Sequence, residues 1–178
     1  MENESNQKQM VRKEDTEAKS TIRNKAIFSL MKTLWYVATG RLHFARSRIG
    51  KLITMEDGQE YTVFRQVIVD SKRRQSAKPG AILIVSFDFA HGSPKQNKLL
   101  SLIPIPFIAG LPGFRSKTWA LQQDSGGFQG IYEFDTIQNA ETYQKSFAIK
   151  LMAKRAIPGS ITFQIIPQQA NKKGDNEK

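Results

Sequence analysis

The chain has 178 residues, enough for one domain with a proper core and some decoration, and its 39% hydrophobic and 10% aromatic content is ordinary for a soluble globular protein. The formal net charge of +11 is not ordinary. There is no cysteine, which excludes disulfides, thiolate metal sites and a cysteine nucleophile, and with His43 and His91 as the two histidines a His-rich metal centre is excluded as well.

The basic excess lies mainly in the N-terminal half. Residues 1–78 hold 16 basic and 9 acidic side chains, residues 79–167 hold 8 and 5, and residues 168–178 hold 3 and 2. The polar, charged residues 1–20 and the last eleven residues lack apolar periodicity and read as disordered tails. No secretory signal is read in the first twenty residues, and the apolar run 26–38 carries Lys32 and is shorter than the ~20 residues needed to cross a bilayer. A cytoplasmic protein is therefore expected.

In the extension 21–78, Ile27, Leu30, Met31, Leu34, Val37 and Ala38 recur at helical spacing, with Lys25, Ser29 and Lys32 on the other side. The spacing predicts a helix over 24–39, capped by Asn24 and ended by Gly40. Its apolar stripe can pack on the domain or on a partner subunit. Trp35 and Tyr36 ahead of the basic run Arg41, Arg46, Arg48 and Lys51 also suit a helix lying on a membrane surface, which would make the protein peripheral to a membrane. Asp57-Gly58 between Lys51–Met55 and Tyr61–Asp70 predicts a β-hairpin, with Tyr61, Val63, Val67 and Val69 on one face. The basic connector 71–80 marks a boundary. The same cations, with Lys72-Arg73-Arg74, suit phosphates. No helix-turn-helix, zinc-finger or RNP-type pattern accompanies them, so nucleic acid ranks behind a structural role.

Residues 79–167 are more regular. Ala81–Phe89 reads as a strand, and Ser93-Pro94 opens a helix to Ile103, stopped by Pro104 and Pro106. A strand Phe114–Leu121, a turn at Ser125-Gly126-Gly127 and a strand Phe128–Asp135 form a hairpin. Asp135 is expected to cap a helix Thr136–Arg155, with Gln138 as its capping-box partner, and Ser160–Ile166 is a last strand. The order β-α-β-β-α-β is the split ferredoxin-like, α+β arrangement. Two helices on one face leave the other sheet face bare, so stacking of two sheets in a homodimer is expected.

Pro112-Gly113-Phe114-Arg115-Ser116-Lys117-x-Trp119-x-Leu121, followed by Gly130, Tyr132 and Phe134 and a helix with Ala140 and Tyr143, resembles the dimeric α/β-barrel superfamily. Members with this pattern include the antibiotic-biosynthesis-type and YdhR-type mono-oxygenases. The resemblance covers residues 79–167 and implies a dimeric α/β barrel. It also implies a cofactor-independent mono-oxygenase-like activity on a small aromatic or quinol-type substrate, with no metal or flavin. Such a site needs an apolar pocket, polar groups to orient a phenol and a group to stabilise an oxyanion. Trp119, Tyr132 and Phe134 are candidate walls, Tyr143 can share the pocket, Arg115 or Lys117 can stabilise the anion, and His91 can take the proton. Each has a plainer use: packing for the aromatics, a loop hydrogen bond for His91, solvated charge for Arg115 and Lys117. The alternative function is a non-enzymatic dimeric protein that binds small ligands or partners. Haem ranks below these readings, because His91 is the one histidine in this half and no second signature supports a haem ligand.

Overall fold

The structure is a computed structural model and describes residues 20–21, 23–55, 58–70, 78–122 and 125–168. A helix through residues 23–38 (α1) is followed by β1 (Leu42–Phe44), β2 (Leu52–Thr54) and β3 (Glu60–Val69). Then come β4 (Ala81–Phe87), α2 (Pro94–Leu100), α3 (Ile105–Ile108), β5 (Phe114–Leu121), β6 (Phe128–Phe134), α4 (Ile137–Gln144), α5 (Phe147–Ala153) and β7 (Thr162–Pro167). The tails expected at 1–20 and 168–178 and the connector 71–80 lie outside the described residues, apart from Ser20, residues 78–80 and Gln168.

The strands form one antiparallel sheet in the order β1-β3-β5-β6-β4-β7, with β2 also paired to β3. The part β5-β6-β4-β7 is the ferredoxin-like sheet of the expected β-α-β-β-α-β unit. On its β5 edge β3 pairs antiparallel, from Thr62 opposite Leu121 to Ile68 opposite Ser116. The extension is thus hydrogen-bonded into the domain's sheet, and it covers an edge that would otherwise present unpaired backbone groups.

Local chemistry accounts for most boundaries. Ser93 caps α2 by accepting from the Gln96 amide while the Gln96 side chain accepts from the Ser93 amide, and Pro94 takes the first turn, where its missing N–H costs nothing. The central strand β4 is apolar on both faces; Leu83 and Val85 are fully buried. Leu83, Tyr132, Phe134 and Phe114 form the centre of the core between sheet and helices.

Several expected details shift. The helix cap is Thr136, whose hydroxyl accepts from the Asn139 amide at 3.2 Å, and not Asp135. The helix expected over 136–155 is two helices, because Ser146 is extended (φ −77°, ψ 164°) between α4 and α5. The first helix runs through Asn24 without being capped by it. In β3 a bulge between Val63 and Arg65 resets the alternation. Tyr61 and Val63 then pack with Ala120 on the far face of the sheet, while Val67 and Val69 join the main core. In α1 the apolar stripe faces outward, and Ser29, Thr33 and Tyr36 are the buried positions.

The far face of the sheet is mixed. Gln66 Nε2 donates to Thr118 Oγ1 (3.1 Å), Ser116 Oγ to Glu133 Oε2 (2.9 Å) and Gln129 Nε2 to Ser86 Oγ (3.2 Å), with Ile84 and Ala120 between them. A second copy stacked on this face would meet a hydrogen-bonded polar ladder interrupted by apolar residues.

Candidate functional site

A cavity of about 320 Å³ lies between the sheet and helices α2 and α5. Its floor comes from one sheet face: Phe87 from β4, Lys117 and Trp119 from β5, and Phe128, Gly130 and Tyr132 from β6. These positions share a face because the pairing puts Lys117 opposite Tyr132 and Trp119 opposite Gly130. Tyr143 of α4 and Ala148, Leu151 and Met152 of α5 close one side, and Leu100, Ser101, Ile103 and Pro104 close the other. Arg65, from β3, braces this second wall by donating to the carbonyl of Lys98 at 2.7 Å and to Ser101 Oγ.

Gly130 makes the room. A Cβ at this position would lie 2.8 Å from Tyr132 Cε2 and 3.3 Å from Lys117 Cε, closer than the ring could tolerate without moving. A glycine inside a strand often marks such a close approach.

Lys117 is the unusual group. Its side chain is buried, and its Nζ stands 4.4 Å from the ring centroids of both Trp119 and Tyr132. Among the described residues no carboxylate pairs with it. The two ring faces attract the charged form. Burial holds the pKa of this amine well below the usual lysine value of 10.5.

Beside the amine, Tyr143 donates its hydroxyl hydrogen to the Tyr132 hydroxyl at 2.9 Å, with both side chains buried. Burial raises the pKa of both phenols; for Tyr132 the hydrogen bond from Tyr143 offsets part of the rise. Both therefore stay protonated across the ordinary pH range. Having accepted one hydrogen bond, Tyr132 keeps its own hydrogen to donate to a ligand. Tyr143→Phe removes the donor and leaves a buried hydroxyl short of a partner. A loss of about 1–2 kcal/mol in urea unfolding is expected, with a coupling to Tyr132→Phe in a double-mutant cycle.

The sequence candidates separate in space. Lys117, Trp119, Tyr132 and Tyr143 line the cavity together. Phe134 is fully buried, parallel to Tyr132 with centroids 6.4 Å apart, and supports that ring from behind without lining the space. Arg115 points elsewhere: the bulge between Phe114 and Ser116 takes it out of the alternation. Its guanidinium donates to the Lys78 carbonyl at 3.0 Å and lies 3.7 Å from Asp135. His91 is exposed in the loop before α2, in a surface groove that shares Leu100 and Arg155 with the cavity wall. The cavity lining contains no histidine.

Other wall residues carried no functional signal in the sequence. Arg155 was legible only as a cation near a helix end, yet it forms the rim of the cavity. It donates to Asn97 Oδ1 at 3.2 Å and its guanidinium stands 5.0 Å from the Phe89 ring. Burial lowers its pKa. Phe87, Phe89 and Met152 read in the sequence as plain apolar positions. Among the described residues no group of three or more His, Asp or Glu side chains could hold a metal ion.

No protein-family model matches the chain, and no curated protein does. Solved structures do resemble it. An uncharacterised ferredoxin-fold protein related to antibiotic biosynthesis monooxygenases, from Listeria monocytogenes, is 15% identical, with a TM-score of 0.49 over 67% of this chain and 71% of that one. A monooxygenase-like protein from Listeria innocua is 12% identical, with a TM-score of 0.48 over 65% and 67% of the two chains. A heme-degrading enzyme from Listeria monocytogenes is 12% identical, with a TM-score of 0.47 over 72% and 97%. The chain is similar to ferredoxin-fold, antibiotic-biosynthesis monooxygenase-like proteins. At these identities the likeness concerns the fold, and the chemistry has to be argued from the cavity.

Proposed function

We propose that the cavity binds a small aromatic, quinol-type molecule and that the protein oxidises it with molecular oxygen, as a mono-oxygenase-like enzyme without an added cofactor. The observation that carries this reading is the buried Lys117 amine between the Trp119 and Tyr132 rings, in a space otherwise walled mainly by apolar side chains. An aromatic ligand fits such walls, and a phenol brings the proton that a desolvated amine can take. The ammonium formed and the Tyr132 hydroxyl then stabilise the phenolate. The electron-rich anion adds oxygen at a ring carbon, the peroxide formed takes back the proton held by Lys117, and loss of water with that carbon's own hydrogen leaves one oxygen atom as a carbonyl. Lys117 thereby keeps the anion-stabilising role expected of Arg115 or Lys117 and adds the proton-accepting role expected of His91.

Oxygen consumption with a panel of anthrones and quinols tests the reading. Uptake above buffer is expected, and Gly130→Ala should lower it roughly tenfold or more by pushing Tyr132 and Lys117 into the space. A wild-type protein that consumes no oxygen with any member of the panel overturns the enzyme. A ligand that still quenches Trp119 fluorescence would then leave a binding protein.

A further inference from the structure

The cavity accounts for one end of the molecule and leaves α1 unexplained. Ile27 (53% exposed), Phe28 (67%), Met31 (63%), Leu34 (55%) and Trp35 (53%) stand out in solvent. At 100° per residue they share an arc of about 120°. This is not a loose helix turned at random. Its opposite side is held: Ser29 Oγ donates to the Phe107 carbonyl at 2.5 Å, Thr33 and Tyr36 are buried, and the helix backbone lies against Gly110. The small side chains are used inward and the large apolar ones are left outward, the reverse of what burial of apolar area favours.

Charge says what the outward face meets. From Ser20 to Met55 the chain has seven Lys and Arg residues and no Asp or Glu. On the helix, Lys25 and Lys32 flank the arc beyond Phe28, and Arg23 flanks it beyond Leu34. Arg41 at the helix end stacks its guanidinium 5.1 Å from the Trp35 ring. Arg46, Arg48 and Lys51 follow, all exposed. A second copy would bring an equally basic segment against this one. A nucleic acid would satisfy the cations and leave the apolar arc in water. An anionic lipid surface takes both, the arc in the acyl boundary and the cations among the headgroups.

We infer that α1 docks the protein in the plane of an anionic membrane surface, through Ile27, Phe28, Met31, Leu34 and Trp35. The attachment is peripheral, since no helix among the described residues is long and apolar enough to cross a membrane. It is also independent of the cavity, whose Lys117 and Trp119 lie on β5 under other helices.

The test is co-sedimentation of the full chain with vesicles of phosphatidylcholine alone and of phosphatidylcholine with phosphatidylglycerol, at low and high salt. Binding to the anionic vesicles that weakens with salt is expected, together with a blue shift of Trp35 emission that Trp35→Phe removes. The double variant Met31→Glu, Leu34→Glu changes only exposed positions and should bind roughly tenfold more weakly or worse while its unfolding transition is retained. No sedimentation of the wild type with anionic vesicles at low salt overturns the inference, and so does equal sedimentation of the double variant. A wild-type dimer by light scattering that the double variant breaks, without vesicle binding, would assign the face to a second copy and overturn it too.

Discussion

Lys117→Met is expected to abolish oxygen uptake while making the protein more stable. Methionine keeps the length and apolar stem of lysine and removes the group that the proposed reaction needs, so activity should fall to the level of buffer. The gain in stability has a separate origin. In the folded protein the amine is buried with no carboxylate partner among the described residues, and its pKa is lowered from the value it has in the unfolded chain. Between the lowered folded value and 10.5 the unfolded chain binds more protons than the folded one, so the stability contributed by this group rises with pH. As pH falls through that window the unfolded state gains, and the wild type loses stability relative to the methionine variant. The variant's advantage should therefore grow from near zero above pH 10.5 to a plateau below the folded pKa. Replacing buried charge by packed apolar groups stabilises by on the order of 1–4 kcal/mol. Urea unfolding of both proteins at a series of pH values from 10.5 downward measures it. A variant that is less stable at every pH would mean that Lys117 holds the site together by packing alone, and retained oxygen uptake would remove it from the chemistry.

Gly110→Ala is expected to prise α1 from the body of the domain. A Cβ at Gly110 would lie 1.9 Å from the Ser29 carbonyl oxygen and 2.7 Å from its carbon. Both are backbone atoms of a helix and cannot rotate away, so the whole helix must shift. That would strain the Ser29–Phe107 hydrogen bond and expose Thr33 and Tyr36, now buried. Overpacking of this kind costs about 1–3 kcal/mol, and the high end is expected because no side chain can yield. Amide hydrogen exchange should accelerate through residues 23–38, while β4 and β6 in the core stay protected. Unchanged exchange in α1 would show that the contact is not what holds it.

Much of the cavity is legible in the sequence. Lys117, Trp119, Tyr132 and Tyr143 all belong to the hairpin and helix that the glycine turn and the apolar runs mark out, and the pairing of two adjacent strands brings the first three onto one face. Arg115 and His91 do not line this cavity. Strict alternation puts Arg115 on the face of Lys117 and Trp119, but the bulge after Phe114 inserts one residue and turns it outward. His91 follows its strand closely in sequence, yet the loop carries it past the wall formed by Leu100 and Arg155. Arg155 and Met152 came from the far end of a helix, and nothing local distinguishes a helix residue over a cavity from one over a filled core.

The sequence by itself determined the β-α-β-β-α-β order within residues 79–167, the two hairpins, the Ser93 cap and the concentration of positive charge ahead of residue 79. These depend on neighbours a few positions apart, through turn geometry, capping and alternation. The tertiary structure alone decided that the Lys117 amine is buried at the cavity, that Arg115 turns away from it, and that α1 turns its serine and threonine inward. Burial depends on what distant segments bring: Tyr143 and Met152 over the sheet, Gly110 under the helix. An apolar stripe records that a helix needs a partner for that face, and the packing of the rest of the chain settles whether the partner is the same molecule.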